Sequence, residues 1–419
     1  MEMGKQVKEL LNFYQKNKMT DFKVVMMGLG YIGLPTAALI ASRGIKVQGI
    51  DVNQSVVDTI NEGKIHIVEP ALDGLVKHVV ERGLLKASTT VDTADVYLIA
   101  VPTPFKGDHE PDLKYVESAT RMILPNLKNG DLFIIESTSP VGTTDKMAKI
   151  IFEEKPELKG KINIAYCPER VLPGKVIYEL EHNDRVIGGL DEESTKAAQD
   201  FYRHFVKGEL HATNAKTAEM CMLVENSSRD VSIAFANELS MICDKARINV
   251  WELINLANKH PRVNILQPGT GVGGHCIAVD PWFIVSEFEK EAVIIRNARE
   301  INNYKTEWVI EKIKSTALQF ELDNNRKPII ALMGMAFKPD IDDLRESPAL
   351  LVADTLLDEG KFDLLLVEPN LEESNKYDLT DYEAINGKVD IVAYLVAHKE
   401  FRGFTTEIIE LDFCGVKNY

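Results

Sequence analysis

Phe22-Lys-Val-Val-Met-Met-Gly28-Leu-Gly30-Tyr-Ile-Gly33 decides the fold. A short apolar run ends in Gly-x-Gly-x-x-Gly, and an Ala-rich helical stretch follows to Arg43. In such a turn the first glycine bends the chain, the second lets a pyrophosphate approach, and the third lets helix and strand pack. Tyr31 and Ile32 then fall at the helix N-terminus, where backbone amides face an anion. The next apolar run, Val47 to Ile50, ends at Asp51, the distance at which an acid binds a ribose 2′-hydroxyl. Asp51 is followed by Val52, Asn53 and Gln54 rather than an arginine, and its charge repels a 2′-phosphate. NAD is therefore expected rather than NADP, held by Gly28, Gly30, Tyr31, Ile32, Gly33 and Asp51.

Working outward, Val96 to Val101 and Leu132 to Ile135 read as further buried strands with helical stretches between them. That alternation predicts a parallel, doubly wound sheet. Val101-Pro-Thr103-Pro and Glu136-Ser-Thr138-Ser-Pro lie at the carboxyl ends of two strands, where such sheets bind ligands. From Thr217 the character changes. Residues 217–260 and 286–320 read as helical, interrupted by the Gly-rich Pro268–Gly274. New β-runs follow at Pro328–Gly334, Leu364–Val367 and Ile391–Val396. The expected fold class is α/β, with two Rossmann-like doubly wound parallel-sheet domains joined by a central helical domain. The expected segments are an N-terminal helical extension at 1–20, then domains at 21–210, 211–320 and 321–419. Val7, Leu10, Leu11 and Tyr14 give the extension its helical spacing.

The 419 residues are ample for such cores, and the apolar content of 45% and charged content of 27% are those of a globular chain. Lys plus Arg is 48 against 64 for Asp plus Glu, a net charge of −16, which repels nucleic-acid phosphate. No nucleic-acid partner is expected. No apolar run approaches the roughly 18 residues of a membrane helix, so no membrane insertion is expected. The five cysteines form no C-x-x-C pair and show no zinc spacing, which predicts a reducing, cytoplasmic location and no metal site. Tyr-x-x-x-Lys, the signature of a short-chain reductase, occurs only at Tyr14 and Lys18, before the first strand.

Gly269-Thr-Gly-Val-Gly273-Gly-His-Cys276-Ile-Ala-Val-Asp280 carries the most chemistry. Nothing in the sequence gives its glycines a packing role, so the loop reads as one whose backbone approaches a ligand. A helical turn there would put Cys276 and Asp280 on one face. A thiol beside an acid suits covalent catalysis at a carbonyl carbon. Beyond the strand at 328–334, Lys338 and Arg345 suit a diphosphate or a uracil nucleotide.

These segments together closely resemble the UDP-glucose/GDP-mannose dehydrogenase family, over nearly the whole chain after residue 21. The likeness rests on Ile67–Pro70, Val101–Pro111, Tyr166-Cys-Pro-Glu169-Arg170-Val171-Leu172-Pro173, Ala257–Asn264 and Gly273–Phe283, which read as the branch acting on UDP-N-acetyl-D-mannosamine. The resemblance implies an NAD domain, a central helical domain that makes homodimers, and a UDP-binding domain. It implies a UDP-hexosamine substrate whose C6 alcohol is oxidised twice to a carboxylate, for surface polysaccharide or glycan synthesis. It assigns Cys276 as the nucleophile that forms a thiohemiacetal and then a thioester, and Asp280 as the assisting acid. It makes Thr138 a water- and cofactor-positioning hydroxyl beside Thr103, Glu169 a base near the sugar, and Asn226 a donor to the C6 oxygen. Arg170, Val171, Leu172, Gly273, Arg262, Lys338 and Arg345 fall on the substrate side, Arg262 reaching across the dimer.

One residue departs from the family pattern. Where the family has lysine four residues before the asparagine, this chain reads Ala218-Glu-Met-Cys-Met222-Leu-Val-Glu-Asn226. Met222 offers neither proton nor charge to a developing oxyanion. Lys216, six residues back, falls about 240° around a helix and should not replace it. This leaves open a chain that binds NAD and UDP-sugar but turns over slowly.

Overall fold

The computed structural model describes residues 22–418 apart from 68, 108, 172, 173, 275, 372–375 and 405–407. The expected helix at 1–20, and Leu172 of the substrate set, lie outside the described residues. One compact unit ends at Leu223 and a second begins at Val224, inside the long helix Ala215–Ala246.

In the first unit, strands β1 (Lys23–Met27), β2 (Lys46–Ile50), β3 (Leu85–Ser88) and β4 (Val96–Ile99) are followed by a small hairpin, β5 (Phe105–Lys106) and β6 (Glu110–Pro111). Then come β7 (Leu132–Ile135), β8 (Asn163–Tyr166), β9 (Arg185–Gly189) and β10 (Leu210–Asn214). Eight of these form one sheet in the order β10-β9-β8-β7-β4-β1-β2-β3. Its pairs are parallel except β8 with β9. The apolar runs are continuous rather than alternating because the sheet is covered on both faces. Val24 and Met26 join one core, Val25 and Met27 the other. Helix Gly33–Ser42 is buried at every residue, as an all-round apolar helix must be. Chain order reverses between β1 and β4, so the crevice expected to bind ligand opens at their carboxyl ends. The run read as a strand to Val101 leaves the sheet after Ile99, because Pro102 and Pro104 have no amide to donate.

In the second unit, β11 (Ile329–Met333), β12 (Asp363–Val367), β13 (Ile391–Tyr394) and β14 (Ile409–Asp412) form an all-parallel sheet in the order β12-β11-β13-β14. It too has a core on each face. The helical stretch read at 217–260 is two helices, Ala215–Ala246 and Val250–Ala257. Arg247 takes a left-handed conformation at φ 58° and Ile248 donates back to the Cys243 carbonyl, closing the first. The Asn249 side chain then accepts from the Trp251 and Glu252 amides and starts the second. The stretch read at 286–320 is the end of helix Asp280–Glu287 and then Val293–Asn324. No described helix is long and apolar enough to cross a membrane.

Candidate active site

The first unit presents the nucleotide crevice. Gly28 sits at φ 90°, and any side chain there would overlap the Ala100 carbonyl. A side chain on Gly33 would overlap the Gly28 carbonyl. Gly30 differs: it is exposed, and a side chain would meet nothing within 4 Å. The helix it precedes has no side-chain cap at Ile32 and no acid in its first turn. Asp51 follows β2 directly and accepts from the Leu29 amide at 3.2 Å, anchoring the glycine turn to the neighbouring strand. Open space over Gly30, an uncapped helix start and a carboxylate at the next strand end fit a dinucleotide. Tyr31 is exposed and Ile32 partly so. Thr103 is buried and donates to the Thr138 carbonyl at 2.7 Å, which locks the two strand-end loops together.

Glu169 follows β8 and is ion-paired with Arg185, at 2.7 Å, with both side chains almost wholly buried. Its other oxygen accepts from the Arg170 amide at 2.8 Å. Arg185 also lies 5.1 Å from the centre of the Tyr202 ring, and Tyr202 donates to Glu136 at 2.5 Å. Burial pushes the Glu136 carboxyl up to about 7. Sequence reading named Glu169 but missed Glu136, Arg185 and Tyr202; the one signal for them is a cation, Arg185, opening the buried strand Arg-Val-Ile-Gly-Gly. Glu69, from the Ile67–Pro70 stretch, accepts from the Gly174 and Val176 amides, each at 2.8 Å, and so caps helix Val176–His182. Arg170 donates to the Asp184 carbonyl, and Val171 packs on the core.

The second unit presents the thiol. The Asp280 amide donates to the Cys276 carbonyl at 2.8 Å, so the two residues stand one helical turn apart as the spacing predicts. Asp280 is buried at the start of helix Asp280–Glu287, and burial pushes its carboxyl up to about 7. Asn226 donates to Asp280 at 2.6 Å, which leaves the second hydrogen of its amide for another acceptor. Cys276 is exposed as a residue, yet enough protein crowds the thiol for desolvation to push it up to about 11. The Asp280 charge adds to that rise and Arg345 opposes it. No disulfide joins any of the five cysteines.

One expectation is overturned here. The glycines of the cysteine loop do have a packing role. Side chains on Gly271, Gly273 and Gly274 would collide with Thr306, with the Glu346 backbone and Pro348, and with the Phe337 ring respectively. The Gly274 amide donates to the Arg345 carbonyl at 3.2 Å. The Arg345 guanidinium itself is clasped by Asp343, at 2.6 and 3.0 Å. Lys338 and Arg262 are exposed. Glu368, which sequence reading passed over, follows β12 directly and accepts from the Met335 and Ala336 amides at 2.7 and 2.9 Å. Met222 is buried in helix Ala215–Ala246, one turn before Asn226.

Comparison with known proteins shows the family. Residues 22–206 match the NAD binding domain of the UDP-glucose/GDP-mannose dehydrogenase family, 216–304 its central domain and 331–412 its UDP binding domain. The UDP-N-acetyl-D-mannosamine dehydrogenase of Campylobacter jejuni is 56% identical over 395 residues, covering 90% of this chain and 96% of that protein. The chain belongs to the UDP-glucose/GDP-mannose dehydrogenase family. Its counterpart from Escherichia coli K12 is 54% identical over 395 residues, covering 90% of this chain and 94% of that one. The solved UDP-N-acetyl-mannosamine dehydrogenase of Staphylococcus aureus superposes with a TM-score of 0.84 at 38% identity, over 94% of this chain and 99% of that one. The chain is thus an NAD-dependent dehydrogenase of the nucleotide-sugar family, with the α/β fold its sequence predicts.

Proposed function

We propose that the chain oxidises the C6 hydroxymethyl group of UDP-N-acetyl-D-mannosamine to the carboxylate. The observation that carries this reading is the Cys276–Asp280–Asn226 arrangement, a thiol one turn from a buried acid that is itself held by an amide. Whole-length likeness to dehydrogenases of that sugar nucleotide supports the substrate.

Bound NAD supplies the hydride acceptor for both oxidations. The residues that would hold it are Gly28, Gly30, Tyr31, Ile32, Gly33 and Asp51, with Thr103 and Thr138 at the strand ends. A thiol pushed up to about 11 is protonated at neutral pH, so it needs a base. Asp280, at about 7, is matched to take that proton. The first oxidation takes a hydride from C6 and releases the hydroxyl proton to solvent, leaving the aldehyde. The Cys276 sulfur then adds to its carbon, forming a C–S bond as the carbonyl π bond opens, and the oxygen becomes an alkoxide near Asn226. Hydride loss from that carbon leaves a thioester. Water attacks it, the C–S bond breaks, and the carboxylate leaves while the thiol is restored. Thr138 orients water, and Glu169, ion-paired with Arg185, acts as a base near the sugar. Arg170, Val171, Leu172, Gly273, Lys338 and Arg345 complete the sugar and UDP side. The same reading gives the NAD, helical and UDP roles to 21–210, 211–320 and 321–419. It has the chain act in the cytosol as a homodimer through the central helices, Arg262 reaching a sugar nucleotide held by the second copy.

The test offers UDP-N-acetyl derivatives of mannosamine, glucosamine and galactosamine, and UDP-glucose, side by side while NADH is followed. Two NADH per molecule of the mannosamine nucleotide are expected, and preference for UDP-glucose overturns the substrate assignment. Cys276→Ser should abolish carboxylate formation and keep NAD binding; loss of NAD binding would mark a structural cysteine.

Met222 favours a second reading, a dehydrogenase slowed by the missing cation. Met222→Lys should then raise the rate of NADH formation by tenfold or more. Fast turnover in the unaltered chain that the lysine does not improve removes this reading.

A further inference from the structure

A buried polar chain runs through the second unit to the base of the cysteine loop. Arg299 donates to Asp230 at 2.6 Å, and Asn302 donates to the same Asp230 oxygen at 2.7 Å. Asn237 donates to the Asn302 side-chain oxygen at 2.9 Å and accepts from the Gly269 amide at 2.9 Å. All four side chains are 0–3% exposed. The orientation of every amide in this chain is fixed by chemistry. Gly269 N–H can only donate, so Asn237 turns its oxygen to it and its nitrogen to Asn302. Asn302 must then turn its own nitrogen to the carboxylate. The charge of Asp230 thereby reaches Gly269 through two amides, each polarised by the last.

A second clamp holds the adjacent residue. Thr306 donates to the Thr270 carbonyl at 3.1 Å, and Thr270 donates to the Leu395 carbonyl, just past β13, at 2.6 Å. Residues 269 and 270 are therefore pinned by three hydrogen bonds, to two helices and to the carboxyl end of the interior strand β13. Beyond them Gly271, Gly273 and Gly274 make close contacts up to Cys276.

We infer that Asn237 and Thr306 are positioning residues for Cys276: they fix where the loop starts, and the close-packed glycines carry that register to the sulfur. This rests on the reading of Cys276 as the nucleophile. Both residues lie away from the NAD-binding glycines in sequence and in unit, so removing either should change thiol chemistry without changing cofactor affinity.

The full-length chain is assayed as Asn237→Ala, Asn302→Ala and Thr306→Val, with Cys276→Ser as reference. Asn237→Ala should lower kcat about tenfold or more, the size of a misplaced reacting group. It should also change the rate of Cys276 alkylation by iodoacetamide at least threefold and leave KM for NAD within twofold. Asn302→Ala, which leaves the Gly269 acceptor but frees Asn237 to turn, should show the same pattern more weakly. Thr306→Val keeps the side-chain shape and so keeps the fold; it carries the test if Asn237→Ala does not fold. A lower melting temperature with unchanged kcat and alkylation rate in Thr306→Val, and in Asn237→Ala where it folds, overturns the inference. Full turnover in Cys276→Ser instead overturns the reading of the thiol, and these two failures are distinct.

Discussion

At Gly30 a side chain would meet nothing within 4 Å, whereas at Gly273 its first carbon would overlap the Glu346 carbonyl and lie 2.8 Å from the Pro348 ring. Both glycines sit in Gly-rich loops between regular elements, and in sequence the two loops invite the same reading. The space beside Gly30 faces out of the protein and suits a ligand's phosphates. The space beside Gly273 is filled by the protein itself. In the first loop the middle glycine keeps room for something to bind. In the second the glycines let residues 271–274 press against the segment from Phe337 to Pro348, which carries Lys338 and Arg345. The cysteine loop and the segment from Phe337 to Pro348 are thus one packed object.

The larger expected effect comes from Gly273→Ala. Forcing a methyl group against backbone should destabilise the second unit by about 1–3 kcal/mol. Denaturant unfolding should read that loss, together with a fall in turnover and an unchanged KM for NAD. A variant as stable and as active as the parent would mean that the contact relaxes freely and that the two loops are more alike than their surroundings suggest.

The reciprocal change is Gly30→Ala. Here no contact opposes the methyl group, and replacing glycine removes unfolded-state freedom, so stability should hold or rise slightly. NAD affinity should fall about tenfold, roughly 1.4 kcal/mol, because the methyl group occupies the approach of the pyrophosphate. Calorimetric titration with NAD checks it, and unaltered affinity would remove Gly30 from the cofactor set.

The contrast also marks how far the sequence could be read. Strand, glycine turn, helix and terminal acid follow one another within thirty residues from Phe22 to Asp51, so local spacing carries their meaning. The one-turn relation of Cys276 to Asp280 is legible for the same reason. The partners of Gly271 to Gly274 are Thr306, Phe337, Glu346 and Pro348, which lie 35 to 77 residues further on. No periodicity announces them. Asp230, Asn237, Arg299 and Asn302 are dispersed over two helices, and each reads alone as an ordinary solvent-facing polar residue. Glu169 and Arg185 meet only because β8 and β9 run antiparallel, the one reversed pair in that sheet. The sequence offers Glu169 as a base near the sugar; its ion pair with Arg185 is visible only in the tertiary fold.

The smallest effect, a pH dependence, concerns the carboxylate that accompanies each loop. The first is accompanied by Asp51, which lies just past β2 and is a carboxylate partly open to water that accepts backbone amides. The second ends on Asp280, which is buried and titrates near 7. Burial disfavours its charged form, so protons hold on to higher pH, and a base must be ionised to act. Turnover should therefore fall as pH drops through about 7 and rise only about twofold from pH 7 to 8, where Asp280 passes from half to nearly full ionisation. The pH dependence of kcat under saturating substrates measures this. Asp280→Asn should lose most of the rate and, with it, the limb near 7. If that limb survives in the Asn variant, the group titrating there belongs elsewhere. Glu136, also near 7, is the next candidate, and control of the rate by Glu136 would move the pH-sensitive element from the thiol unit to the nucleotide unit.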